Sequence, residues 1–244
     1  MHWLKNIFSK KEKVTLELLC CDMHSHLIPG IDDGAKDLEQ SIEMIRAFKE
    51  LGYKKIITTP HIMSDYYKNT PDIILNGLEK VKNELAKNHI EIEIEAAAEY
   101  YLDENFEEKI KTKKLLSFGK NYVLFELSMF SEPPHLANVI FELQVAGYTP
   151  VLAHPERYPY WHKNIDQYDE LRSKGVLLQL NLLSLTGAYS AEVKKTAQKL
   201  IDFRKIDFCG SDAHSKFHLQ LLSENLHLPY FHKLMALELL NKTL

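Results

Sequence analysis

The stretch D-M-H-S-H-L-I-P-G-I-D-D-G, residues 22–34, follows the apolar run L-L-C-C and places two histidines one residue apart, then two acids beside glycines. Imidazole and carboxylate in that mixture are ligands for a divalent cation, but the same letters also make an ordinary polar turn. Other segments supply possible partners. T-P-H ends at His61, A-E-Y-Y contains Glu99, F-E ends at Glu126, A-H-P-E-R contains His154, and G-S-D-A-H contains Asp212 and His214. Singly these are weak signals: a lone histidine is more often a hydrogen-bonded structural residue, and a strand-end glutamate usually points into solvent. With 12 histidines and 34 acids in 244 residues, one or two coincidences would mean nothing. Their meaning depends on whether the fold brings them together.

Short β-rich apolar runs alternate with longer segments of helical period, with no linker, low-complexity tract or repeat between them. The spacing predicts strands over residues 16–21, 55–59, 90–98, 122–125, 149–153, 176–181 and 206–209. It predicts helices over 37–51, 71–88, 134–146, 165–173 and 191–203. In the first helix Leu38, Ile42, Ile45, Phe48 and Leu51 share a face, Asp37 and Gln40 form an N-terminal capping pair, and Gly52 ends it. Pro71 opens the second as a first-turn proline over the stripe Ile74, Leu78, Val81 and Leu85. Seven βα units of this size make one α/β domain, residues 16–244, folded as a distorted (β/α)7 TIM-like barrel. In such a barrel the C-terminal strand ends open onto one face.

Six of the seven strands then end in a ligand-type residue: His24 with His26, His61, Glu99, Glu126, His154, and Asp212 with His214. The sixth strand ends in Asn181. Carboxylates and neutral imidazoles gathered in one pit repel or waste hydrogen bonds unless cations bind them. Nitrogen and oxygen donors without thiolate suit manganese, iron or zinc, and a single ion needs only three or four of these eight residues. Two or three ions are expected.

The rest of the chain removes other chemistries. There is no G-x-x-x-x-G-K, G-x-G-x-x-G, G-x-S-x-G or paired C-x-x-C, so nucleotide-dependent, serine-nucleophile and zinc-ribbon readings find no support. A net charge of -4 provides no electrostatic reason to expect nucleic acid. Three cysteines, two of them adjacent, form no disulfide framework, and no apolar run has the length of a membrane span, so a cytoplasmic setting is expected. Residues 1–15 form a separate N-terminal segment. There Trp3, Leu4, Ile7 and Phe8 mix with Lys5, Lys10, Lys11 and Lys13, as in a short helix lying peripherally on the inner membrane face. A frayed terminus or a helix on the barrel exterior is the favoured reading of that segment.

In their order along residues 22–214, these motifs resemble the PHP (polymerase and histidinol phosphatase) superfamily. They are most similar to its bacterial metal-dependent protein-tyrosine phosphatases of capsular and exopolysaccharide gene clusters. The resemblance implies a trinuclear site that usually prefers manganese. It carries the ligand role onto His24, His26, His61, Glu99, Glu126, His154, Asp212 and His214. It also implies that Asp33 and Arg157 act beside the metals. The implied substrate is a tyrosine-phosphorylated protein, a membrane-associated bacterial tyrosine kinase that controls polysaccharide export. One departure stands out: relatives often carry an arginine followed by prolines after S-D-x-H, where this chain continues S-K-F-H. Lys216 could stand in there as a point charge but not as a bidentate fork. The alternative expectations are a small-molecule phosphatase of the histidinol-phosphatase type and a metal-stabilised binding module without chemistry.

Overall fold

The structure is a computed structural model and describes residues 13–244. Of the N-terminal segment 1–15, read alternatively as a membrane-surface helix, residues 1–12 lie outside the described residues. The strands are β1 (Cys21–Asp22), β2 (Lys55–Thr58), β3 (His61–Ile62), β4 (Glu93–Ala96), β5 (Glu99–Tyr101), β6 (Tyr122–Glu126), β7 (Thr149–Ala153), β8 (Leu177–Asn181) and β9 (Phe208–Gly210). All pair in parallel, in two sheets of order β1-β2-β4 and β3-β5-β6-β7-β8-β9. The sheets part where Thr59-Pro60 separates β2 from β3 and Ala97-Ala98 separates β4 from β5; proline has no N–H to give to a ladder.

Single backbone bonds carry the wall across these breaks. Thr59 N donates to Ser25 O at 2.7 Å, Ala97 N to Thr58 O at 2.9 Å, and Glu99 N to Pro60 O at 3.1 Å. The two ends of the order meet the same way: Asp212 N donates to His24 O, His26 N donates to Ala213 O, and Ser25 bridges Ala213 in parallel. Seven strand lines therefore follow one another around the expected barrel, drawn together by isolated bonds rather than one continuous ladder.

The helices are α1 (Leu38–Glu50), α2 (Pro71–Lys87), α3 (Glu104–Thr112), α4 (Leu136–Val145), α5 (Asp166–Ser173), α6 (Ala191–Asp202), α7 (Lys216–Asn225) and α8 (Pro229–Met235). The expected caps of α1 are present, with a shift: Asp37 Oδ1 accepts from Gln40 N, while Gln40 Oε1 accepts from Lys36 N rather than from Asp37. Thr70 caps α2 ahead of Pro71. Alternation divides the core. Ile57, Leu124 and Val151 join one cluster, while their strand neighbours Ile56, Val123, Phe125 and Leu152 pack in the larger cluster that also holds the helix faces.

The first expected strand is corrected. Residues 16–19 form a 3₁₀-helix capped by Thr15, with Leu16 and Leu19 buried three apart, and Cys20 takes a left-handed φ of 64° before the short β1 begins. A short apolar run cannot be told from a buried helical turn by composition alone. The third strand proves to be two, β4 and β5, and the seventh ends one residue later than expected, at Gly210. Helices α3, α7 and α8 were not anticipated. In α3 only Phe106 and Ile110 are buried, too few for a periodic stripe to stand out among charged residues. No helix among the described residues is long and apolar enough to cross a membrane.

Candidate metal centre

All eight expected ligand residues converge: His24, His26, Glu126, His154, Asp212 and His214 at or just past the ends of β1, β6, β7 and β9, and His61 and Glu99 at the starts of β3 and β5, which follow the breaks after β2 and β4. At the centre lies Glu99, fully buried at the start of β5. Its Oε2 stands 3.2 Å from His24 Nε2, 3.2 Å from His61 Nδ1 and 3.5 Å from His26 Nε2, while Oε1 stands 3.1 Å from His154 Nε2. Asp212 Oδ1 closes the group, at 3.4 Å from His24 Nε2 and 3.5 Å from the nearest nitrogens of His26 and His214. Glu126 approaches His61 at 3.3 Å and His154 at 3.7 Å.

Three of the imidazoles are held from behind. His24 Nδ1 donates to Gln179 Oε1 at 2.8 Å, His26 Nδ1 to Asp32 Oδ2 at 2.8 Å, and His214 Nδ1 to the Asp212 carbonyl at 2.9 Å. Each acceptor fixes the proton on Nδ1 and turns the lone pair of Nε2 inward, the arrangement that outer partners give metal-ligating histidines. Gln179 is itself oriented, because its Nε2 donates to Leu180 O.

The backbone is forced to make this geometry. His154 and Asp212 both sit in the left-handed region, with φ of 35° and 51°, a conformation that costs a non-glycine residue about 1–2 kcal/mol. Two glycines permit close approach. A Cβ on Gly210 would stand 2.6 Å from His24 Cβ, and one on Gly34 would stand 2.4 Å from His26 Cβ.

The donor set fits divalent cations on one observation above others. His24 Nε2, His26 Nε2, His61 Nδ1 and Glu99 Oε2 are buried and make no hydrogen bond, and each of the three nitrogens lies 3.2–3.5 Å from Glu99 Oε2. Orphaned buried donors and acceptors of this kind are costly. Spacings of about 3.0–3.4 Å are also those of neighbouring ligands around an ion bound at about 2.1 Å. Three overlapping groups could each hold an ion: His26, Asp33, His61 and His214; His24, His26 and Asp212; and His61, Glu99 and Glu126. They share His26 and His61, so they describe one continuous cluster rather than three independent sites. The free thiols Cys20, Cys21 and Cys209 belong to none of them.

Electrostatics follow from the crowding. Burial opposes the charge of His24, yet the carboxylates of Glu99 and Asp212 raise its pKa to about 9. Burial would raise Glu99, but His24 and His61 hold it well below the usual range. His154 is lowered by burial and then by Arg157. Asp33, on the rim, is held to about 2 by His214 and His61 against the effect of burial. Its Oδ1 stands 3.4 Å from His214 Nε2 and 3.6 Å from His61 Nε2.

Arg157 also reaches the cluster. Its Nη1 donates to Asp212 Oδ2 at 2.9 Å and its guanidinium lies 4.4 Å over the Tyr189 ring. Its pairing is thus with Asp212, not with its sequence neighbour Glu156, whose Oε1 accepts from Asn181 N and Ser184 Oγ. Lys216 points elsewhere, 3.5 Å from Glu43 on α1. Several contributors were missed from sequence: Gln179 behind His24, Asp32 behind His26, Asn181 donating to Asp212 Oδ2 at 2.7 Å, and Tyr67 stacked on His61 at 5.4 Å. A glutamine inside the otherwise apolar L-L-Q-L was the one visible hint.

Known proteins share this architecture. Tyrosine-protein phosphatase YwqE of Bacillus subtilis (strain 168) is 33% identical over 204 residues, covering 82% of this chain and 80% of that protein. Tyrosine-protein phosphatase CpsB of Streptococcus agalactiae serotype V is 28% identical over 200 residues, covering 80% and 82%. Among solved structures, those of YwqE from B. subtilis and CpsB from Streptococcus pneumoniae, described as metal-dependent tyrosine phosphatases, match with TM-score 0.75 at 30% identity, covering 86% of this chain and 88% of that one. Histidinol phosphate phosphatase from Lactococcus lactis matches with TM-score 0.56 at 15% identity, a likeness of fold alone. The family described as capsular polysaccharide synthesis, CpsB/CapC, matches residues 20–220, and the chain belongs to that family.

Proposed function

We propose that this chain is a metal-dependent phosphomonoester hydrolase that removes phosphate from phosphotyrosine in a protein. The observation that carries the reading is the set of orphaned, mutually close nitrogen and oxygen atoms around Glu99; the names of its relatives supply the substrate class. His24, His26, His61, Glu99, Glu126, His154, Asp212 and His214 would hold two or three ions. Manganese is the first choice for such a set, with iron and zinc as alternatives. Bound there, divalent ions supply Lewis acidity toward phosphoryl oxygens and a coordinated water acidic enough to attack at neutral pH.

The chain's own residues do the rest. Arg157, anchored through one nitrogen to Asp212 and backed by Tyr189, keeps further N–H donors for phosphate oxygens. Asn181 and Arg157 both bond Asp212 Oδ2, which leaves Oδ1 to face His24, His26 and His214. Asp33 carries no proton at neutral pH, because its carboxyl is held to about 2. It therefore serves as a carboxylate at the rim, orienting water or an ion, and not as a proton donor. A tyrosine leaving group tolerates this, since phenol with a pKa of about 10 departs with little help. The partner would be a membrane-associated tyrosine kinase of polysaccharide export.

The test compares a phosphotyrosyl peptide with histidinol phosphate in manganese. Preferential hydrolysis of the peptide, lost on chelation, is expected. Turnover of the small ester alone would favour the histidinol-phosphatase alternative, and turnover of neither would favour a binding module.

A further inference from the structure

Beside the cluster, a groove of about 350 Å3 runs between the segment that follows β3 and the outer side of α3. It begins at Ile62, the residue after His61, and Tyr67 in its wall stacks on the His61 ring at 5.4 Å and 11°. The groove and the metal cluster thus share a wall. Its volume lies at the low end of ligand-sized clefts, about 300–1,000 Å3, and is more than a phosphate group needs.

The groove is preformed. Met63 and Tyr67 exchange two backbone hydrogen bonds of 2.9 Å, and Asn69 Nδ2 donates to Ile31 O and His61 O at 2.9 and 2.8 Å. Asp103 Oδ2 accepts from Ser64 N while its Oδ1 caps α3 at Phe106 N, which ties the loop to the helix. The lining joins apolar surface from Ile62, Met63 and Tyr67 to the ammonium groups of Lys68 and Lys109, and it includes no carboxylate. Neither lysine is ion-paired among the described residues.

We propose that this groove is a subsite for the residues flanking the phosphotyrosine and that it selects an acidic side chain there. The inference rests on the phosphotyrosine reading above. Two unpaired cations on a rigid, carboxylate-free wall complement a negative neighbour, and the apolar stretch accommodates its aliphatic stem. A phosphate ester without a peptide has nothing to place in it.

The experiment measures kcat/KM for three phosphotyrosyl peptides that differ only in flanking glutamates, serines or lysines. The wild-type chain should prefer the glutamate peptide over the lysine peptide by about three- to tenfold, chiefly through KM, as expected for two exposed ion pairs. The double variant Lys68→Glu/Lys109→Glu should reverse that order. Should it fail to fold, the milder Lys68→Gln/Lys109→Gln carries the same test and should bring the ratio close to one. A wild-type ratio of one, or a preference that either variant leaves intact, overturns the subsite. If the wild-type chain cleaves none of the peptides but does hydrolyse histidinol phosphate, the phosphotyrosine reading itself fails and the subsite fails with it.

Discussion

The centre of the cluster and its rim are built differently. At the centre, His24, His26, Glu99 and Asp212 are fully or almost fully buried, and His24, His26 and Asp212 each have a second atom occupied by a protein partner: Gln179, Asp32, and Asn181 with Arg157. At the rim, the Asp33 side chain is 54% exposed and faces the His61 and His214 imidazoles, which are themselves partly open. The centre is thus a rigid cradle, and the rim is the part that can move with substrate. Fixed orientation comes from the pairings behind His24, His26 and Asp212; at the rim His214 keeps one such bond, to the Asp212 carbonyl, while Asp33 has none and is the residue free to adapt.

The largest loss is expected at the centre of the cluster. Glu99→Gln keeps the volume but removes the charge that four histidine nitrogens face, so kcat should fall by at least about 10²–10³-fold with loss of bound metal. Elemental analysis beside steady-state kinetics checks it, and a fully metallated, active variant would show that Glu99 is not the hub. One layer out, Gln179→Ala frees the His24 ring. Metal affinity or activity should fall by about 10–100-fold while the fold is kept, read by metal titration and circular dichroism.

At the rim the effect should be smaller. Asp33→Asn is expected to lower kcat by less than about tenfold, because Asp33, held to about 2, has no proton to donate at neutral pH. A loss of about 10²–10⁴-fold, the range for a general acid, would reassign it. The finest test is protonic. In the metal-free chain His24 is raised to about 9, so at neutral pH it holds a proton more tightly than a free imidazole does, and a binding ion must expel it. Apparent metal affinity should therefore rise with pH from neutrality toward about 9, with protons released in calorimetry run in two buffers. An affinity flat with pH would contradict that sign.

What was legible in the sequence follows the same division. The candidate ligand residues announce themselves because each follows or closes an apolar run, and a parallel barrel brings the C-terminal ends of such runs to one face. Leu124 and Glu126 share strand parity, so burial of the first already turns the second inward. The supporting residues carry no such spacing. Asn181 bonds Asp212 across 31 residues of chain and Gln179 bonds His24 across 155, a relation that only the folded topology creates. The 3₁₀ turn over residues 16–19 escaped for a local reason, since Leu16 and Leu19 satisfy helical and strand patterns alike. Helix α3 escaped because only two of its residues meet the core. Arg157 was expected beside the metals, but its bond to Asp212 and its place over Tyr189 follow from the fold.

The central claim is that the buried donors around Glu99 hold metal and that this metal drives phosphotyrosine hydrolysis. The direct measurement is metal content of the purified chain by elemental analysis, paired with hydrolysis of a phosphotyrosyl peptide before chelation, after chelation and after manganese is restored. Two or three ions per chain, with activity lost on chelation and regained with the metal, is the expected result. A chain that binds no divalent ion, or that hydrolyses the peptide equally well after complete chelation, would contradict it.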